Sequence, residues 1–216
     1  QAATRGQFDV VDLEARLGLA DLEPGARVGL ARGRWKVSAY RELAGAMEVG
    51  QPPGIGRSLD ALLLGQDDGE YFWRTGGEVG ATWGDRSRSL SLKAFGERQA
   101  AAAVEARWSL SGDLRPNITA DQTDAFGLGW EARVQKGDDP RTGVAAGRLW
   151  GEAAGGGTGY WRALGSVSVS RHLLGGLAGA TSLGVGITSE SAPIQRRLFT
   201  GGTHTLRAAL FCSQTA

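Results

Sequence analysis

The feature that most constrains this chain is a strict alternation of apolar and polar residues. In "AFGLGWEARVQ" (residues 125–135), Phe126, Leu128, Trp130, Ala132 and Val134 fall on one side. Gly127, Gly129, Glu131, Arg133 and Gln135 fall on the other. Successive side chains of a β-strand point to opposite faces, so such a stretch is a strand with one apolar and one polar face. The same period recurs at 10–19, 78–83, 103–110, 161–170 and 177–187. Turn-forming clusters lie between the runs: "DLEPG" (21–25), "GDRSR" (84–88), "KGDDPRT" (136–142), "GGGT" (155–158) and "HLLGG" (172–176). Gly, Pro, Asp and Ser supply the dihedrals and side-chain caps that reversals need. The spacing predicts an all-β, antiparallel meander of about nine strands. Two stretches fit less directly. "GQPPGIGRSLDALLLGQDDG" (50–69) reads as a long loop with a short helix over 58–65, and "GERQAAAAVEARW" (96–108) as a hairpin.

Alternation alone fits two architectures. A β-sandwich buries the apolar face against a second sheet. A transmembrane barrel turns it to lipid and keeps the polar face toward a wet lumen. Several runs match the roughly 9–11 residues a tilted strand needs to cross a bilayer. Their polar faces mix charges with Gly and Ser, which suits a crowded lumen. Trp83, Trp108, Trp150 and Trp161 stand near strand ends, as in an interfacial aromatic belt. The expected fold is therefore part of a transmembrane β-barrel.

Charge and composition exclude other classes. The 24 basic and 23 acidic residues leave no basic excess for nucleic acid. Cys212 is the lone cysteine, and His172 and His204 are the two histidines, so no cluster has metal-ligand spacing. Ser58 and Asp60 have no neighbouring histidine, and no G-x-S-x-G occurs. "GGGTG" (155–159) lacks the lysine and helix of a phosphate loop and reads as a glycine-rich turn. No catalytic residue, metal or small-molecule cofactor is expected. No apolar run is long enough for a transmembrane helix. The start, "QAATRGQFDV", has no signal-peptide pattern and no initiator Met, so the chain reads as an excised piece.

Near the end, "APIQRRLFTGGTHTLRA" (192–208) combines a proline, arginines, an aromatic, a glycine pair and a final hydrophobic–arginine step. This pattern resembles a segment of the bacterial outer-membrane assembly and surface-antigen superfamily of the BamA/TamA type, to which the two-partner secretion transporters are related. In that comparison Arg197 and Phe199 take the arginine–aromatic place. Gly201 and Gly202 are the glycine pair, and Leu206 and Arg207 the hydrophobic–arginine step. The chain departs from the pattern at Ala208 and Ala209, where the family has Gly and an aromatic, and the tail "AALFCSQTA" does not resemble it.

The resemblance implies three parts: a partial outer-membrane barrel wall over 1–188, a long lumen-folding loop over 189–208, and a non-matching tail over 209–216. It implies that Arg207 pairs with an acidic group on a later strand outside this chain, so that the wall is incomplete. It further implies a location in the bacterial outer membrane, with the lipid bilayer and outer-membrane or secreted polypeptide clients as partners. The work would be inserting or secreting β-rich polypeptides by strand pairing, without chemical catalysis. A passive outer-membrane pore or surface antigen, and a soluble β-sandwich binding module, are the alternatives. Counting strands back from the 189–208 loop puts the 42–68 connection at the opposite end of the wall.

Overall fold

In the computed structural model, residues 10–17, 23–46, 70–102, 118–138, 143–172 and 178–198 are described. They form one antiparallel sheet of nine strands: β1 (Val10–Leu17), β2 (Pro24–Arg32), β3 (Trp35–Gly45), β4 (Tyr71–Gly84), β5 (Arg88–Ala101), β6 (Thr123–Lys136), β7 (Val144–Gly156), β8 (Tyr160–His172) and β9 (Ala178–Thr188). Each strand pairs with its neighbours in sequence, so the sheet is a plain meander. A 3₁₀ turn, Ile194–Arg196, follows β9.

The expected two faces are present. On one face Leu13, Leu128 and Val185 are 76%, 67% and 69% exposed, and comparable apolar side chains extend across all nine strands. The opposite face carries Arg27, Glu42, Arg74, Glu78, Lys93, Glu97, Glu131, Arg148, Glu152 and Arg162, which pair with one another from strand to strand. Glycine on the polar side, exemplified by Gly127 and Gly129, leaves room for these long side chains. A Cβ on Gly127 would stand 2.8 Å from the Phe95 ring, and one on Gly129 would stand 2.9 Å from the Lys93 stem.

The strand count is as expected, but its division is not. The predicted hairpin at 96–108 is absent up to Ala102: β5 runs unbroken to Ala101, paired throughout with β4 and, from Arg88 to Gln99, with β6. The alanines continue the strand, because pairing with neighbouring strands outweighs local propensity. The run at 103–110, the helix at 58–65 and Trp108 lie outside the described residues.

This single strand also corrects the expected placement of the connections. Six strands, β4 to β9, separate the 46–70 connection from the segment after Thr188, so both lie at one end of the sheet. The 102–122 connection lies there too. The opposite end carries the reversals at Gly33–Arg34, 85–87, 137–143 and 173–177. At 85–87 the Asp85 carboxylate accepts the backbone N–H groups of Ser87 (2.7 Å) and Arg88 (3.0 Å), which hold its pKa below the ordinary aspartate value.

The tryptophans divide between the faces. Trp83 and Trp161 are exposed on the apolar face, near opposite strand ends. Trp150 is buried on the polar face, with the Arg162 guanidinium 5.0 Å from its ring. Its sequence position near a belt was coincidental: one residue of register decides the face, and Leu149 takes the apolar side.

Candidate functional site

Past β9 the chain folds onto the polar face. Ala192 is buried with Phe95, Ala125, Ala154 and Tyr160. Gln195 is fully buried. Its side-chain amide donates to Gln99 Oε1 at 2.8 Å and to the Asp121 carbonyl at 2.9 Å, and its Oε1 accepts the Asp121 N–H at 2.9 Å. The Asp121 carboxylate in turn accepts the Ile194 N–H at 3.0 Å. A reciprocal set of this kind satisfies both backbones and fixes the segment against the end of the 102–122 connection.

The next residue, Arg196, reaches further across the sheet. Its guanidinium hydrogen-bonds Glu97 Oε1 on β5, lies 3.6 Å from Glu152 Oε1 on β7, and stands 5.2 Å from the Phe72 ring on β4. The side chains of Arg196, Glu97 and Glu152 are 4%, 1% and 6% exposed. Around them, Arg162 Nε donates to Glu152 at 2.8 Å and Tyr160 Oη to the same oxygen at 3.0 Å. Tyr40 Oη donates to Glu97 Oε2 at 2.8 Å and Gln99 Nε2 to Glu97 Oε1 at 2.7 Å, with Arg74 at 3.8 Å. Two buried carboxylates are thus shared by three guanidiniums, with both oxygens of Glu97 and Oε1 of Glu152 accepting from donors. Such a charge-assisted set holds the geometry of the segment against the wall.

One glycine makes the arrangement possible. Tyr40, Gly76 and Glu97 are cross-strand partners in one row, so the phenol of β3 reaches β5 past Gly76 on β4. A Cβ at Gly76 would lie 2.2 Å from the Gly96 carbonyl oxygen and 2.6 Å from Glu97 Cα, both backbone atoms that cannot step aside. Gly76→Ala is expected to destabilise the fold by about 1–3 kcal/mol through overpacking. Urea unfolding in detergent micelles, compared with Gly77→Ala, checks this; Gly77 has room for a Cβ apart from one contact at 3.1 Å.

The chain matches no protein-family model, no curated protein and no solved structure. The site therefore rests on its own geometry. Of the residues the motif singled out, Arg197 is described. Its guanidinium donates to the backbone carbonyls of Ala192 (2.9 Å) and Glu190 (3.3 Å), stiffening its own loop without touching the wall's carboxylates. Phe199, Gly201, Gly202, Leu206 and Arg207 lie outside the described residues. The residues that clasp the wall are Gln195 and Arg196, between the proline of the motif and its arginine–aromatic step. The partners of Arg196, Glu97 and Glu152, sit on strands this chain contains, whereas the motif pointed to an acidic group beyond it. Glu152 belongs to β7, which is not among the alternating runs read from the sequence. Glu97 lay inside the stretch read as a hairpin.

Proposed function

We propose that this chain forms the wall of a transmembrane β-barrel in the bacterial outer membrane, of the assembly or translocation type, with the segment after β9 folded into the lumen. The observation that carries the reading is the pairing of opposites across one sheet. An apolar face on nine strands is open to the surroundings, while the other face buries ion pairs beneath a returning loop. A water-soluble sandwich would cover such a face with a second sheet; among the described residues there is one sheet. A contiguous apolar area of this extent marks a lipid or protein contact. The two longest connections between strands, 46–70 and 102–122, lie at the same end, in keeping with the asymmetry of outer-membrane barrels.

The assembly-type assignment rests on the clasped loop together with the resemblance of 192–208 to the surface-antigen superfamily. Its partners would be the bilayer and β-rich polypeptide clients, recognised by strand addition at an open sheet edge. The passive pore is the second reading, supported by the charged lining of the same face. Reconstitution of the chain in phospholipid vesicles separates them. Faster folding of an unfolded outer-membrane barrel added to those vesicles is the expected outcome. Ion conductance without any acceleration would leave the pore, and no stable insertion would end both.

A further inference from the structure

The apolar face carries charge at both of its borders, and the two borders differ. At the end with the long connections, its arginines are neutralised within the sheet. Arg41 pairs with Glu23, and Arg98 Nε lies 2.9 Å from Asp124 Oδ1. At the opposite end, the last apolar-face position of four strands is basic. Arg32 is the cross-strand partner of Trp35, and Arg88 of Val134. Lys136 and Arg171 stand two residues beyond Val134 and Val169 on the same side. All four are exposed, and none has an ion-pair partner among the described residues. Asp85 and Asp138 stand in the reversals beyond them; the Asp85 carboxylate accepts the backbone N–H groups of Ser87 and Arg88 and attracts the Arg88 guanidinium without forming an ion-pair contact with it. Between the strands, Arg34 lies 5.7 Å from the rings of both Trp35 and Trp83.

The distance between the borders fits a bilayer. On β5, Arg98 follows Arg88 by ten positions, with Leu90, Leu92, Ala94 and Gly96 between them on that face. Ten residues at about 3.4 Å cover about 34 Å, or about 25 Å along the normal at a barrel tilt near 40–45°. That is the height of an outer-membrane apolar band.

We infer that the basic border formed by Arg32, Arg88, Lys136 and Arg171 is a docking surface for the phosphates of anionic phospholipid headgroups, in the leaflet that meets the short reversals. The inference rests on the barrel reading. Basic side chains at that depth extend their stems along the acyl boundary and place their charge among the headgroups. The arginines at the other border, already paired, offer no such charge. The basic border therefore sets the depth of the wall and the leaflet it prefers.

The test uses the whole chain and two sets of vesicles, phosphatidylcholine alone and phosphatidylcholine with about one third phosphatidylglycerol. At low salt, the chain is expected to partition at least about tenfold more strongly into the anionic vesicles. High salt should remove that advantage. The combined variant R32Q/R88Q/K136Q/R171Q should lose it, while R41Q/R98Q keeps it. If the combined variant does not fold in phosphatidylcholine, the four single variants are compared, each expected to lose part of the gain. Equal partition of the unmodified chain into both vesicles overturns the inference and leaves the barrel reading intact. So does an advantage that survives all four substitutions. Failure to enter either vesicle overturns the barrel reading and this inference with it.

Discussion

Leu128→Arg is expected to weaken folding of the chain into phosphatidylcholine vesicles by about 2–4 kcal/mol. Leu128 is on the apolar face of β6, 67% exposed, one outward position from Trp130, which stands midway between Asp124 and Lys136. In a bilayer that position lies one outward residue from the midplane, where an arginine must drag water or headgroups inward. Val134→Arg, one outward position from Lys136 and 56% exposed, should cost about 0–1 kcal/mol because its charge reaches the interface. The sign of the comparison is decisive. If this face met water, replacing a mostly exposed leucine by arginine would be near neutral in folding. Urea titrations of both variants in vesicles read the difference. Equal, small effects at the two positions would place the face in water or against another protein.

Much of this was legible in the sequence, because period two is a local property. Phe126, Leu128, Trp130, Ala132 and Val134 announce a face without any knowledge of the neighbours, and the number of strands follows from the turns between such runs. What a single strand cannot announce is how its polar face is used. Glu97 and Glu152 are ordinary charged residues in sequence, 55 positions apart, and become a pair only because β5 and β7 flank the small residues of β6. The same holds for Gly76: its importance comes from Tyr40 and Glu97 meeting across it, a row set by register. The hairpin expected at 96–108 failed for a related reason. Alternation that resumes at Trp108 and Leu110 does not reveal that β5 is already flanked by β4 and β6, and that one error reversed the inferred side of the 46–70 connection.

The loop itself illustrates the limit of a motif. The cluster of arginines at 196–207 points to a basic loop entering a polar interior, and the resemblance assigns the interior contact to Arg207. Within the described residues the contact is made by Arg196. The adjacent Arg197 faces its own backbone. Adjacent residues in an extended or 3₁₀ segment point in different directions, so a pair of arginines seldom shares one role. Composition marked the segment; which guanidinium enters the wall depends on the turn at Ile194–Arg196 and on Gln195 anchoring it.

Arg196 should accordingly carry the largest single contribution of that segment. Arg196→Ala leaves Glu97 and Glu152 buried with less positive charge between them. Arg162 remains beside Glu152 and Arg74 near Glu97, so the loss is partly compensated. The expected destabilisation is about 3 kcal/mol, at the low end of breaking a buried ion pair. Arg197→Ala, which removes hydrogen bonds to two carbonyls of its own loop, should cost about 1 kcal/mol. Two further variants separate charge from packing. Because the harm in Arg196→Ala comes from stranded carboxylates, adding Glu97→Gln should restore part of the loss, with a coupling of about 1–3 kcal/mol in a double-mutant cycle. Limited proteolysis of the inserted wall reports the loop directly. Cleavage within 189–198 should rise in Arg196→Ala, while β5 and β7 stay protected. If the two arginine variants unfold alike and the cycle shows no coupling, the clasp contributes nothing to holding the loop, and the loop's place on the polar face must come from Ala192 and Gln195 alone.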